Sequence, residues 1–137
     1  MLKDAVAVQA LRDEWETVRA TQKLISTNVV WAFAGGAHIS REFANIAYSL
    51  CLLFGFSVLE HALSALEAGG LFSSKARGLE QLMKDSQSGL IWVDFTTVFQ
   101  GKERRDRVAH QRAWLVKEEI DRYLDAIEAE LTGWQIL

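Results

Sequence analysis

A chain of 137 residues with 15 Lys and Arg against 18 Asp and Glu has the length of one compact domain and a slightly acidic balance. Half its residues are hydrophobic and 24% are charged, which excludes a disordered tail, and its net charge of −3 excludes a polycation that coats nucleic acid unspecifically. Cys51, the single cysteine, has no internal disulfide partner, and no metal-ligand spacing links it to His38, His61 and His110, so neither a zinc site nor another cofactor is expected.

The chain contains no proline and reads as helix throughout. From about Asp4 to Phe33, Val8, Leu11, Trp15, Val18, Ile25 and Val29 recur at helical spacing, with Asp13, Glu16, Arg19 and Lys23 on other faces. Gly35 and Gly36 supply a break, Ser40 is a cap, and a second long helix runs to about Ala68, where Gly69 and Gly70 end it. Within it, the 17 residues Phe43 to Leu59 carry no charge. Asn45, Tyr48, Ser49 and Ser57 dilute that run, so it is expected to be a central helix packed on several sides, or one shared with a second subunit, with no membrane span. The start Met-Leu-Lys-Asp-Ala-Val lacks the basic and apolar regions of a secretory signal, which points to the cytoplasm.

Ser73 and Ser74 precede a shorter helical pattern containing Leu79, Leu82 and Met83, and Ser86 to Gly89 forms its exit loop. Asp94 caps a fourth helix bearing Phe95, Val98 and Phe99. A fifth, from about Lys117 to Leu131, aligns Ile120, Tyr123, Leu124, Ile127 and Leu131 on one stripe. Residues 1–137 are thus expected to form a single all-α domain, an antiparallel four- to five-helix bundle.

The fourth helix carries the chemistry. Followed at about 100° per residue, the face that begins with Phe95 and Phe99 continues through Lys102, Asp106, Ala109 and His110, with Arg105 at its edge beside Val98. Charges pointed inward must pair with one another or line a cleft. Asp106 and His110, four residues apart, are within reach of a carboxylate–imidazole contact that would orient the ring and favour its protonated form. Arg105 and His110 would flank a groove. Lys102 to Arg112 is net +3, leaving −6 for the rest, so the basic patch is local and suits a confined phosphate-bearing ligand.

Arg105-Asp106-x-x-x-His110 resembles the signature of the HEPN family, an Arg followed by a polar residue and, four to six residues after the Arg, a His. The all-helical layout extends the likeness loosely over most of the chain. The resemblance implies a bundle that dimerises with its motifs facing each other, and a metal-independent endoribonuclease of the toxin or antiphage-effector type, in some cases paired with a nucleotidyltransferase-type antitoxin on a separate chain. Arg105 and His110 would then be the catalytic pair, with Asp106 between them. Asn is common at the position of Asp106, whose negative charge either weakens phosphate binding or holds His110 in place. Gln111 stands where relatives often have a small or aromatic residue.

Independent chemistry agrees with that assignment. Metal-free RNA cleavage requires a base at the 2′-hydroxyl, an acid for the departing 5′-oxygen and positive charge on the phosphorane. Imidazole titrates near neutrality and guanidinium grips phosphate with a planar fork. One His cannot readily fill both proton-transfer roles, which favours a homodimer with two copies, and a 2′,3′-cyclic phosphate product. Lys102, Arg104, Arg107 and Arg112 read as solvated charges available to an RNA backbone. The alternatives are a catalytically silent module that binds a nucleotide or a protein, and a helical assembly protein. Glu60-His61 reads as a partly exposed pair, His38 as a loop residue, and Trp15, Trp31, Trp92, Trp114 and Trp134 as packing residues, with Trp114 also near enough to the basic patch to stack on a base.

Overall fold

A computed structural model describes residues 1–34, 41–75 and 78–137. Its helices are α1 (Ala5–Ala34), α2 (Arg41–Ala68), α3 (Leu79–Ser86), α4 (Phe95–Gln111) and α5 (Lys117–Gly133), and no strand occurs among the described residues. The fold is all-α. The expected break at Gly35-Gly36, the Ser40 cap, His38 and the side chain of Trp31 lie outside the described residues.

Helix α2 is the hub, because its apolar residues point in several directions. Leu52, Phe56, Leu59, Leu63 and Leu66 are fully buried, and α2 packs against each of the other four helices. Burying side chains of this size stabilises a fold by roughly 1.5–3 kcal/mol apiece. By length and composition α2 could cross a membrane, but 56% of its most apolar window is buried inside the protein, an arrangement compatible with a soluble protein. Leu50 and Phe54, one turn apart, remain outside that core, 54% and 37% exposed.

The helices run antiparallel in pairs. Gly101, Arg104 and Asp94 of the α4 region meet Tyr123, Glu119 and Glu130 of α5, so numbers rise along one helix as they fall along the other. Likewise Ser49 of α2 receives the Leu115 N–H at 2.9 Å, while Phe56 lies against Gly101. Close approach here depends on missing side chains. A methyl group built on Gly101 would sit 2.7 Å from the Tyr123 ring, and one on Gly55 would collide with Leu124.

Helix α1 is attached differently. Leu11, Trp15 and Val18 are buried in the core, and hydrogen bonds from long side chains tie α1 to α5. Trp15 Nε1 donates to Glu128 at 2.8 Å, Arg19 bonds Glu128 and Asp125 at 2.6 and 2.7 Å, and Gln22 bonds Asp121 at 2.6 Å.

Helix ends follow their local chemistry. Asp4 accepts from the Val6 and Ala7 amides to start α1. At the other end of α2, Leu71 N–H donates to Leu66 and Gly70 N–H to Glu67, with Gly70 at φ +83°, the left-handed closure that glycine adopts freely. Asp94 caps α4 by accepting from Thr97 N–H, as its position implied. Ser74 does not start α3. It bonds Asp85 at 2.7 Å and Glu67 at 3.2 Å, and α3 begins after Gly78 without a side-chain cap.

Candidate functional site

The start of α4 is anchored by a residue the sequence reading passed over. Glu130 of α5 is fully buried, and its two carboxylate oxygens accept the Val93 and Asp94 amides at 2.7 Å each. Burial pushes its carboxyl above the ordinary glutamate range, against the lowering effect of the two amide bonds. The available signal was a carboxylate one residue before Leu131, on the apolar stripe of α5. Trp92, Phe95 and Phe99 pack beside this anchor, with Phe95 and Phe99 stacked at 5.5 Å and Trp92 edge-on to Phe95 at 5.0 Å.

Further along, α4 turns ionic on its inner side. Lys102 is 7% exposed, and its Nζ lies 3.0 Å from Glu80 of α3 and 2.7 Å from Asp106. Asp106 divides its oxygens, giving Oδ2 to Lys102 and Oδ1 to Arg105 Nη1 at 2.8 Å. Burial pushes the Asp106 carboxyl up, but the bonds and charges of Lys102 and Arg105 outweigh it and hold it below the usual aspartate range. Lys102 mirrors this: desolvation disfavours its charge, and the two carboxylates more than restore it. Lys102 is therefore no solvated cation waiting for an RNA backbone. It is an internal tie, because its ammonium lies over the Phe99 ring, 5.8 Å from the centroid, and reaches a carboxylate on a neighbouring helix.

The last turn of α4 departs from the expected face. The inward position belongs to Val108, 2% exposed, and this leaves Ala109 and His110 toward solvent. Asp106 pairs with Lys102 and Arg105, and among the described residues no bond joins it to His110. The expected Asp106–His110 contact is thus replaced by cations one turn back and one residue back. Arg105 is half-buried, with a quarter of its side chain exposed, and His110 projects as an exposed imidazole one and a half turns further on.

The remaining basic residues separate. Arg104 is bonded to Glu119 of α5 at 2.9 Å, whereas Arg107 and Arg112 are exposed. Arg112 ends α4 in the left-handed region at φ 53°. His61 pairs across helices with Glu14 at 3.0 Å. Trp114 is half-buried against the core, and Trp15 and Trp134 are core residues. Among the described residues no group of His, Cys, Asp and Glu is arranged to hold a metal ion.

A cavity of about 610 Å³ is lined by Met1, Leu2, Ala65, Gly69 and Leu71. It lies toward the far end of α2 from Ser49 and Leu115, roughly 25 Å along the helix axis at 1.5 Å per residue. The motif instead occupies the open end of α4. Compared with models of known families, with curated proteins and with solved structures, the chain finds no match.

Proposed function

We propose that this protein is a HEPN-like, metal-independent endoribonuclease of the toxin or antiphage-effector type, working in the cytoplasm as a homodimer in which Arg105 and His110 carry the chemistry. The observation behind this reading is His110, an exposed imidazole on the same helix as the half-buried Arg105 and five residues beyond it, at the end of a helix whose beginning is firmly anchored.

In the reaction, the 2′-oxygen of RNA forms a bond to phosphorus as the bond from phosphorus to the 5′-oxygen breaks. One imidazole takes the 2′-hydroxyl proton and a protonated one supplies the 5′-oxygen, leaving a 2′,3′-cyclic phosphate and a 5′-hydroxyl. Arg105 stabilises the phosphorane oxygens through the donors that Asp106 leaves open. Two imidazoles are needed and each chain offers one here, so the reading calls for a second copy. The outward Leu50 and Phe54 on α2, whose neighbour Ser49 bonds the segment just beyond His110, support an apolar contact near the motif. Arg107 and Arg112 are the exposed cations available to the RNA backbone, and a nucleotidyltransferase-type antitoxin on another chain would be the regulatory partner.

Incubation of purified protein with total RNA tests this directly. Cleavage that leaves cyclic phosphate ends and disappears in His110→Ala supports the reading, and equal or absent cleavage in both proteins removes it. The pairing of Asp106 with Arg105 favours a second reading, a silent HEPN-like module that binds a nucleotide without turnover. Nucleotide binding lost in Arg105→Ala, with no cleavage by the wild type, is the result that would select it.

A further inference from the structure

We propose that Lys102 is a positioning residue that keeps Arg105 effective as an anion clamp by neutralising Asp106 from the inside; this rests on the assignment of Arg105 as the group that meets phosphate. A carboxylate beside a phosphate clamp is a problem the sequence poses and the structure answers. Paired with Arg105 alone, Asp106 would make a neutral couple with little attraction for a phosphodiester. Lys102 changes the count: Lys102, Arg105 and Lys84 are three cations against the two carboxylates Asp106 and Glu80, so the cluster keeps one net positive charge.

The geometry directs that charge outward. Lys102, nine-tenths buried, approaches Asp106 Oδ2 from the core side, and Arg105 holds Oδ1 with one terminal nitrogen. Of the two cations, Arg105 is the one with a quarter of its side chain in solvent. Lys102 is fixed in turn by Glu80 at 3.0 Å, and Glu80 also takes Lys84 at 2.9 Å. Helix α3 thereby holds the Lys102 ammonium against Asp106 without touching an RNA. Lys102→Met keeps an unbranched side chain of similar length in this buried position but leaves Asp106 to cancel Arg105.

The test compares wild type, Lys102→Met, Lys102→Arg and the double variant Lys102→Met/Asp106→Asn on one fluorescent mixed-sequence RNA oligonucleotide, with melting temperatures confirming that each protein folds. Lys102→Met is expected to raise KM about tenfold with a smaller change in kcat, and Lys102→Arg to retain most activity. The double variant should recover, because the carboxylate requiring neutralisation is gone. A merely structural lysine gives the opposite order, the double variant being at least as impaired as the single one, and that result or an unchanged KM overturns the proposal. The same four proteins are titrated with inorganic pyrophosphate while the Arg105 Nε–H resonance is followed. Tenfold weaker pyrophosphate binding in Lys102→Met, restored in the double variant, without RNA cleavage by the wild type, would discard the ribonuclease reading and keep the role of Lys102. No pyrophosphate response at Arg105 in the wild type, together with no cleavage, would discard both.

Discussion

The two ends of α4 contrast sharply. At its start, Asp94 caps the first turn, Glu130 grips the preceding amides and the Gly101 backbone lies against Tyr123. At its finish, the helix stops on an arginine in the left-handed region, and His110, Arg107 and Gln111 face solvent. One helix thus joins a fixed base to an open tip, a suitable mounting for reactive groups, since a site on a rigid element keeps its geometry while its solvent side stays free for a ligand.

Variants along α4 can break this contrast, and the largest effect is expected at the tip, in function alone. On the proposed ribonuclease reading, His110→Ala should reduce RNA cleavage by at least about 100-fold, while stability stays within about 0.5 kcal/mol of wild type in urea denaturation, because the side chain is exposed. At the base the outcome reverses. Glu130→Ala removes a buried carboxylate that holds two amides and should lower stability by about 2 kcal/mol, read by the same denaturation.

Glu130 also carries a pH signature. Its folded carboxyl holds a proton to higher pH than the unfolded one, so its contribution is fully present below the ordinary glutamate range and is lost as pH rises through the folded value. Asp106 and Glu128 behave oppositely, contributing above the ordinary carboxylate range and losing that contribution as pH falls through their lowered values. Wild type should therefore gain stability relative to Glu130→Gln between pH 7 and the ordinary glutamate value near 4.3, and a difference that stays constant would contradict the burial argument.

Two further effects sharpen the picture. Gly101→Ala should cost about 2 kcal/mol by forcing the Tyr123 ring aside, measured as a lower denaturation midpoint. Arg112→Gly should raise that midpoint slightly, by about 0.5 kcal/mol, since glycine accepts φ 53° without the side-chain penalty.

Much of this architecture is legible in the residues. Without proline, the spacing of Leu11, Trp15 and Val18, or of Ile120, Tyr123, Leu124, Ile127 and Leu131, leaves few options besides amphipathic helices, and Gly70 and Asp94 mark ends because their backbone and side-chain chemistry act locally. Long-range partners are a different matter. Lys102 was placed on the inner face by its spacing, yet its partner Glu80 lies 22 residues away on α3, and nothing in the local pattern announces that tie. His110 fails for a related reason: a helical wheel gives angles between side chains but not which side the rest of the bundle covers. The burial of Val108 settles that, and His110 lies outward.

The polar struts between α1 and α5 have a consequence of their own. Helix α1 packs on α2, and beyond it Arg19 and Gln22 stretch across to acidic side chains of α5, contacts that water can replace and salt can screen, alongside the buried Trp15 and the Arg12 bond to the Ile136 carbonyl. The domain therefore has an outer stave whose seam with α5 responds to salt, while its seam with α2, filled by Leu11, Trp15 and Val18, is apolar and does not.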